Sequence, residues 1–234
     1  NRVMRKIAIC NQKGGVGKTT TSINLSTALA LIEKKTLLVD ADPQTNATSG
    51  LGINRRELKT TIYQALLDPG VVEQAIVPTE ISHLSLLPSS PELVGAEVEL
   101  LGMEGYHFRL RDVLKVIENK FDFIIIDCPP SLGVLTINAL TAAKSVLIPI
   151  QCEYYALEGV EKLLSTLQMV RNALNPSLTI EGVLLTMFDS RLNLAKQVAQ
   201  EIRNYFKDKV FKIIIPRSVR LAEAPGFGKP IFKY

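Results

Sequence analysis

The sequence runs to 234 residues, 47% hydrophobic and 21% charged, enough to bury one substantial core, and it reads as one α/β domain over residues 1–234. No apolar run approaches the ~18 residues of a membrane-spanning helix, and the start, NRVMRKIAIC, lacks the apolar stretch and small-residue cleavage site of a secretory leader. A cytosolic protein is expected, with Cys10, Cys128 and Cys152 as reduced, packed thiols, since their spacing fits neither a disulfide framework nor a C-x-x-C metal site.

The net charge of +4 is unevenly placed. Residues 189–234 carry 10 Lys and Arg against 4 Asp and Glu, whereas residues 1–188 carry 17 against 19. A basic end of this kind is either a solvated face or a surface for a polyanion. Met4 reads as a natural start, with Asn1, Arg2 and Val3 ahead of it.

Apolar runs alternate with helix-length amphipathic segments, the pattern of a mostly parallel, twisted sheet with helices on both faces. KIAIC (6–10) predicts a buried strand, and 17–33 its helix, with Ile23, Thr27, Ala30 and Leu31 near helical spacing. TLLVD (36–40) predicts the second strand, and the Asp-, Asn-, Gly- and Thr-rich stretch 41–54 a loop. Further strands are expected at 83–90, 121–127, 145–150, 180–188 and 210–216, and helices at 107–119, 156–173 and 194–206.

Between the first strand and its helix lies NQKGGVGKTT (11–20), which contains the phosphate-loop pattern G-x-x-x-x-G-K-[ST]. Gly14, Gly15 and Gly17 let the backbone turn so that its N–H groups and the next helix N-terminus face an anion. Lys18 then neutralises the β- and γ-phosphates, and the Thr19 hydroxyl is a ligand for Mg²⁺. Asp127 ends the apolar strand FIIID, where a metal-linked water would be held, and Asp42 follows the second strand on the same edge, where it could orient an attacking water. Hydrolysis also needs extra positive charge on the transition-state oxygens. Lys13 is the candidate, and chemistry alone leaves two readings of it: a solvated loop lysine, or a charge offered to a nucleotide on a facing subunit. No N-K-x-D guanine-reading motif follows the strands at 145–150, 180–188 and 210–216, which supports adenine.

The segments KGGVGKTT (13–20), DADPQTNATSGLG (40–52), IIIDCPPSLGVLTINAL (124–140) and IPRSVRLAEAPGFGKPI (215–231) resemble the deviant Walker A ATPases of the ParA/MinD class, and the ParA/Soj partition branch in particular. The resemblance runs through essentially the whole chain and implies a P-loop NTPase fold that binds ATP or ADP with Mg²⁺ and hydrolyses ATP. It implies that Lys13, Gly14, Gly15, Val16, Gly17, Lys18, Thr19 and Thr20 form the phosphate site, with Pro216 and Arg217 beside the adenine. By the same resemblance, Thr19 binds Mg²⁺ directly, Asp127 binds it through water, and Asp42 positions the attacking water. The resemblance further implies that Lys13 reaches across an ATP-bound homodimer and that Arg191 and Arg220 contact the backbone of nonspecific double-stranded DNA, with Lys196 and Lys229 as neighbours. A ParB-type centromere-binding partner and a place at the nucleoid are further implications.

The chain departs from the family in carrying Thr45 and Gly226 where glycine and serine are usual, and it stops at GKPIFKY where relatives continue into another helix. A membrane-cycling regulator like MinD is the alternative; it needs a C-terminal amphipathic helix, and none is present within residues 1–234, whose missing end is either trimmed or absent in nature. The cysteine spacing does not match the cluster ligands of a nitrogenase-type iron protein.

Overall fold

The strands form where apolar runs allow both faces to be buried. The computed structural model describes residues 4–234, so Asn1, Arg2 and Val3 lie outside the described residues. Among those described, one sheet contains β1 (Arg5–Ile9), β2 (Thr36–Asp40), β3 (Val77–Pro78), β4 (Leu84–Leu87), β5 (Phe123–Asp127), β6 (Ser145–Gln151), β7 (Thr179–Phe188) and β8 (Val210–Pro216). Their spatial order is β3-β4-β2-β5-β1-β6-β7-β8, and every pair is parallel except β3 with β4. The antiparallel β3 is two residues long and includes Pro78, which is tolerated because the strand lies at the sheet edge.

The helices are α1 (Lys18–Leu31), α2 (Asn46–Gly50), α3 (Ile62–Leu67), α4 (Val72–Ala75), α5 (Leu93–Leu101), α6 (Arg109–Ile117), α7 (Val134–Ala142), α8 (Ala156–Ala173), α9 (Asn193–Phe206) and α10 (Val219–Glu223). Alternation along each strand sorts its side chains between two layers. Ala8, Leu37, Val39, Ile124 and Ile126 pack on one face with residues of α3 to α9, while Ile7, Ile9, Leu38 and Ile125 pack on the other with Ile23 and Ala30 of α1. No described helix is long and apolar enough to cross a membrane.

The elements differ from the sequence reading in detail. The stretch 41–54 is not all loop, because α2 forms within it. Leu31, grouped with Ile23, Thr27 and Ala30, is 51% exposed while the other three are buried. Helix α7 was not anticipated: its sequence VLTINALTA buries seven of nine residues, so it has no polar stripe to reveal a helical period. Cys10, Cys128 and Cys152 are free and buried, as expected.

Strands β7 and β8 approach closely at Gly182, where an added Cβ would lie 2.6 Å from Cζ of Phe211 and 3.1 Å from the Lys209 carbonyl. Gly182→Ala should therefore push β8 away, cost about 1–3 kcal/mol by overpacking, and lower the midpoint of urea unfolding. An unchanged midpoint would show that the ring moves aside without cost.

Candidate nucleotide site

The parallel register brings the chemistry to one edge. Ile9 pairs with Asp127, and Asp40 pairs with Asp127, so the ends of β1, β5 and β2 lie side by side. The phosphate loop leaves β1 there and enters α1. Gly15 and Gly17 have φ of 72° and 90°, left-handed values that glycine takes without the Cβ penalty. A Cβ at Gly14 or Gly15 would meet nothing within 4 Å, so the loop borders open space. It is anchored from outside by Asn11, whose Oδ1 accepts the Lys13 N–H at 3.1 Å and whose amide donates to the Pro149 carbonyl at 2.9 Å. The Thr186 hydroxyl adds a 2.7 Å bond to the Val16 carbonyl.

Lys18 is 7% exposed and donates to the Lys13 carbonyl across the loop at 2.8 Å. Burial lowers its pKa, and the charge of Asp127 opposes that shift. Asp127 is fully buried and accepts from the hydroxyls of Thr19 and Ser22, each at 2.8 Å. Burial first, and the Asp40 charge second, push its pKa up to about 7. Asp40, equally buried, is raised to about 6 by burial, against hydrogen bonds from the N–H and hydroxyl of Thr48 at 2.8 and 2.6 Å. A buried carboxylate held by two hydroxyls beside a second acid, under an open anion loop, is a donor set that fits Mg²⁺ linked to phosphates. The residues therefore suit the expected nucleotide and metal.

The cleft above the loop has a volume of about 500 Å³ and is lined in part by Gly14, Gly15, Gly17, Lys18, Thr19, Thr20 and Asp42. Pro216, the last residue of β8, and Arg217 after it line the same cleft, together with Asn46, Met187, Ser218 and Leu221. Val16 is 1% exposed and contributes backbone to the loop. Lys13 is not among the lining residues of this cleft. It borders a neighbouring cavity of about 410 Å³ with Pro130, Ser131, Tyr155 and Lys162, and its ammonium pairs with Glu153 at 2.5 Å.

The four expected DNA contacts, Arg191, Arg220, Lys196 and Lys229, are all exposed. Arg191 forks onto Asp189 of its own turn at 2.9 and 2.6 Å, and this pairing holds the Asp189 carboxyl down to about 2.

Sequence reading missed Ser22, Asp40 and Asn11. Ser22 lies one turn past Lys18 on the same helix face, the only signal that would have marked it. Asp40 and Asp42 stand two residues apart in DADPQ, and only the register of β2 with β5 distinguishes their bonding roles.

Fold and loop together define a P-loop ATPase. The AAA domain family matches residues 4–180. The chromosome partitioning protein ParA of Myxococcus xanthus is 58% identical over 232 residues, covering 99% of this chain and 82% of that protein. The sporulation initiation inhibitor protein Soj of Bacillus subtilis is 56% identical over 228 residues, covering 97% and 90%. Among solved structures, cobyrinic acid a,c-diamide synthase from Mycobacterium smegmatis, with bound ATP analog and magnesium, is 39% identical with a TM-score of 0.88, covering 97% of this chain and 93% of that one. The chain belongs to the ParA/Soj-type partition ATPases within the AAA domain family.

Asp127 generates a pH prediction. Its folded pKa lies above the ordinary value of 3.8, so its contribution to stability is full below about pH 4 and lost as pH rises through about 7. The nucleotide-free protein should lose stability relative to Asp127→Asn across that window, read as the difference between their thermal midpoints. A difference that stays constant from pH 4 to 7.5 would contradict the shift.

Proposed function

We propose that this partition ATPase works as an ATP-assembled dimer that binds DNA without sequence preference and releases it on hydrolysis. The observation that carries this reading is the division of labour between two loop lysines. Lys18 is buried within the phosphate cradle, whereas Lys13 borders a separate, open cavity. A lysine directed away from its own nucleotide, five residues before the one that serves it, suits a second molecule's triphosphate.

Bound Mg²⁺ would supply charge neutralisation on the phosphates, with Thr19 as direct ligand and Asp127 acting through water. The residues do the rest. The loop amides of Gly14 to Thr20 orient the phosphates, and Lys18 gives up its carbonyl contact to bridge them. Asp42 holds the attacking water, and Lys13, released from Glu153, offsets negative charge developing on the facing subunit's nucleotide. Pro216 and Arg217 flank the adenine. Hydrolysis removes the γ-phosphate that both subunits grip, so the pair loses its bridge.

Pairing also explains how a chain of modest net charge could hold DNA. Nonspecific affinity grows steeply with the number of phosphates neutralised, and a symmetric pair doubles the set made by Arg191, Arg220, Lys196 and Lys229. Arg191 would have to exchange Asp189 for a DNA phosphate. A ParB-type protein bound to a centromere-like site is the partner this reading requires to stimulate hydrolysis.

Lys13→Ala should leave the monomer folded and able to bind ATP but abolish both pairing and hydrolysis, as followed by light scattering and phosphate release. A variant that pairs and hydrolyses at the parent rate would remove the cross-subunit role. Asp42→Ala should still bind ATP and accumulate as a slow-hydrolysing dimer on size exclusion; a monomer-only profile with saturating ATP and Mg²⁺ counts against the assignment. Arg191→Ala and Arg220→Ala should each remove two phosphate contacts per dimer, flattening the log–log salt dependence of DNA binding by about 1.8 while pairing persists. Unchanged slopes in both variants would place the DNA surface elsewhere.

A further inference from the structure

The turn that carries Asp42 is closed by a residue whose side chain opposes its backbone. Thr45 has φ 59° and ψ 27°, a left-handed conformation that a β-branched residue rarely adopts, and it is completely buried. That conformation is what shapes the turn. The Thr45 N–H closes the turn on the Asp42 carbonyl at 2.9 Å, and the left-handed φ and ψ turn the Thr45 carbonyl to accept the Ser49 N–H at 3.0 Å, which starts α2.

Asp42 is held within the same turn. Its Oδ1 accepts the Gln44 N–H at 2.9 Å, its own N–H donates to Asp40 Oδ1 at 3.2 Å, and its carbonyl also accepts the Ser89 hydroxyl at 2.7 Å. Helix α2 is anchored through Thr48 on Asp40, so if Thr45 relaxed to negative φ the shift would fall on the 42–45 turn, loosening its closing bond and the fixed direction of the Asp42 carboxylate.

One contact opposes that relaxation from the side-chain end. Arg55, in the single turn of 3-10 helix Arg55–Glu57, donates from Nη1 to the Thr45 hydroxyl at 2.9 Å. Arg55 makes no ion pair with a carboxylate among the described residues, so no carboxylate competes for its guanidinium. A charged donor to a buried hydroxyl is a strong tether, because the hydroxyl would otherwise be left without a partner.

We propose that Arg55, acting through Thr45, is a positioning residue for ATP hydrolysis: it clamps a strained turn so that Asp42 points at the attacking water. The inference rests on the reading of Asp42 given above and adds the device that aims it. Neither Arg55 nor Thr45 is among the residues lining the cleft, so the clamp governs the rate of the chemical step and leaves nucleotide affinity alone.

The test is a double-substitution cycle. Arg55 is exposed, so Arg55→Ala should fold with a thermal midpoint near the parent's. It should lower kcat by an order of magnitude, short of the ~10²-fold that a misplacement of ~1 Å can cost, with ATP affinity unchanged by fluorescent-nucleotide titration. Thr45→Gly removes the strain and the hydroxyl together, so the turn needs no clamp: kcat should stay near the parent's, and Arg55→Ala added to Thr45→Gly should change nothing further. The inference is overturned if Arg55→Ala slows hydrolysis equally in both backgrounds, leaves kcat at the parent value, or weakens ATP binding in step with kcat. Asp42→Ala, measured alongside, separates the two claims. Slow hydrolysis in Asp42→Ala with a parent-like Arg55→Ala sinks the clamp alone, whereas parent-rate hydrolysis in Asp42→Ala removes the role of Asp42 and the clamp with it.

Discussion

The site depends on two carboxylates that the sheet forces together. Asp40 and Asp127 stand in register at the ends of neighbouring parallel strands, both without solvent contact. Water cannot relieve their repulsion, so the surrounding chain must. Thr48 answers Asp40, and Thr19 and Ser22 answer Asp127, which fixes α1 and α2 against the strand ends. Those hydroxyls moderate the charge without cancelling it, and Asp127 remains near pKa 7. The negative charge left at this edge suits a divalent cation carrying phosphates.

The same arrangement separates rigid parts from adjustable ones. The phosphate loop is held by Asn11 and Thr186 from the strand side, so its shape precedes any nucleotide. Asp42 is fixed as well, by the hydrogen bonds of its turn, whereas Lys13 rests on a half-exposed ion pair. Exposed ion pairs contribute little stability, so the Lys13–Glu153 contact is a resting position that a stronger anion can displace. Lys13, the residue proposed to serve a second subunit's nucleotide, is thus the one with the least holding it back.

Much of this was legible in the sequence because its signals are local. Apolar runs marked the strands, glycine spacing marked the loop, and FIIID placed Asp127 at the strand end, where it meets the hydroxyls of Thr19 and Ser22. What stayed hidden depended on register or on partners distant in the chain. Ser22 matters only because α1 lies over Asp127, and Asp40 only because β2 borders β5. Helix α7 escaped because total burial erases periodicity, and α2 because its NATSG residues favour loops until Thr45 and the Asp40–Thr48 bonds enforce a helical turn. That Arg191 rests on Asp189 could not be read from DSR alone, since adjacent charges in a turn can equally point apart.

The central claim is that one subunit's Lys13 completes the other subunit's site, and mixing two impaired variants tests it most directly. Lys13→Ala and Asp42→Ala should each hydrolyse ATP poorly alone. In a mixed pair, the Lys13→Ala subunit keeps its own cradle and Asp42 and receives Lys13 from the Asp42→Ala subunit, so one complete site is restored. Phosphate release from the equimolar mixture should exceed the sum of the two variants measured separately. A mixture no faster than that sum, under conditions where the two variants demonstrably pair, would contradict the account.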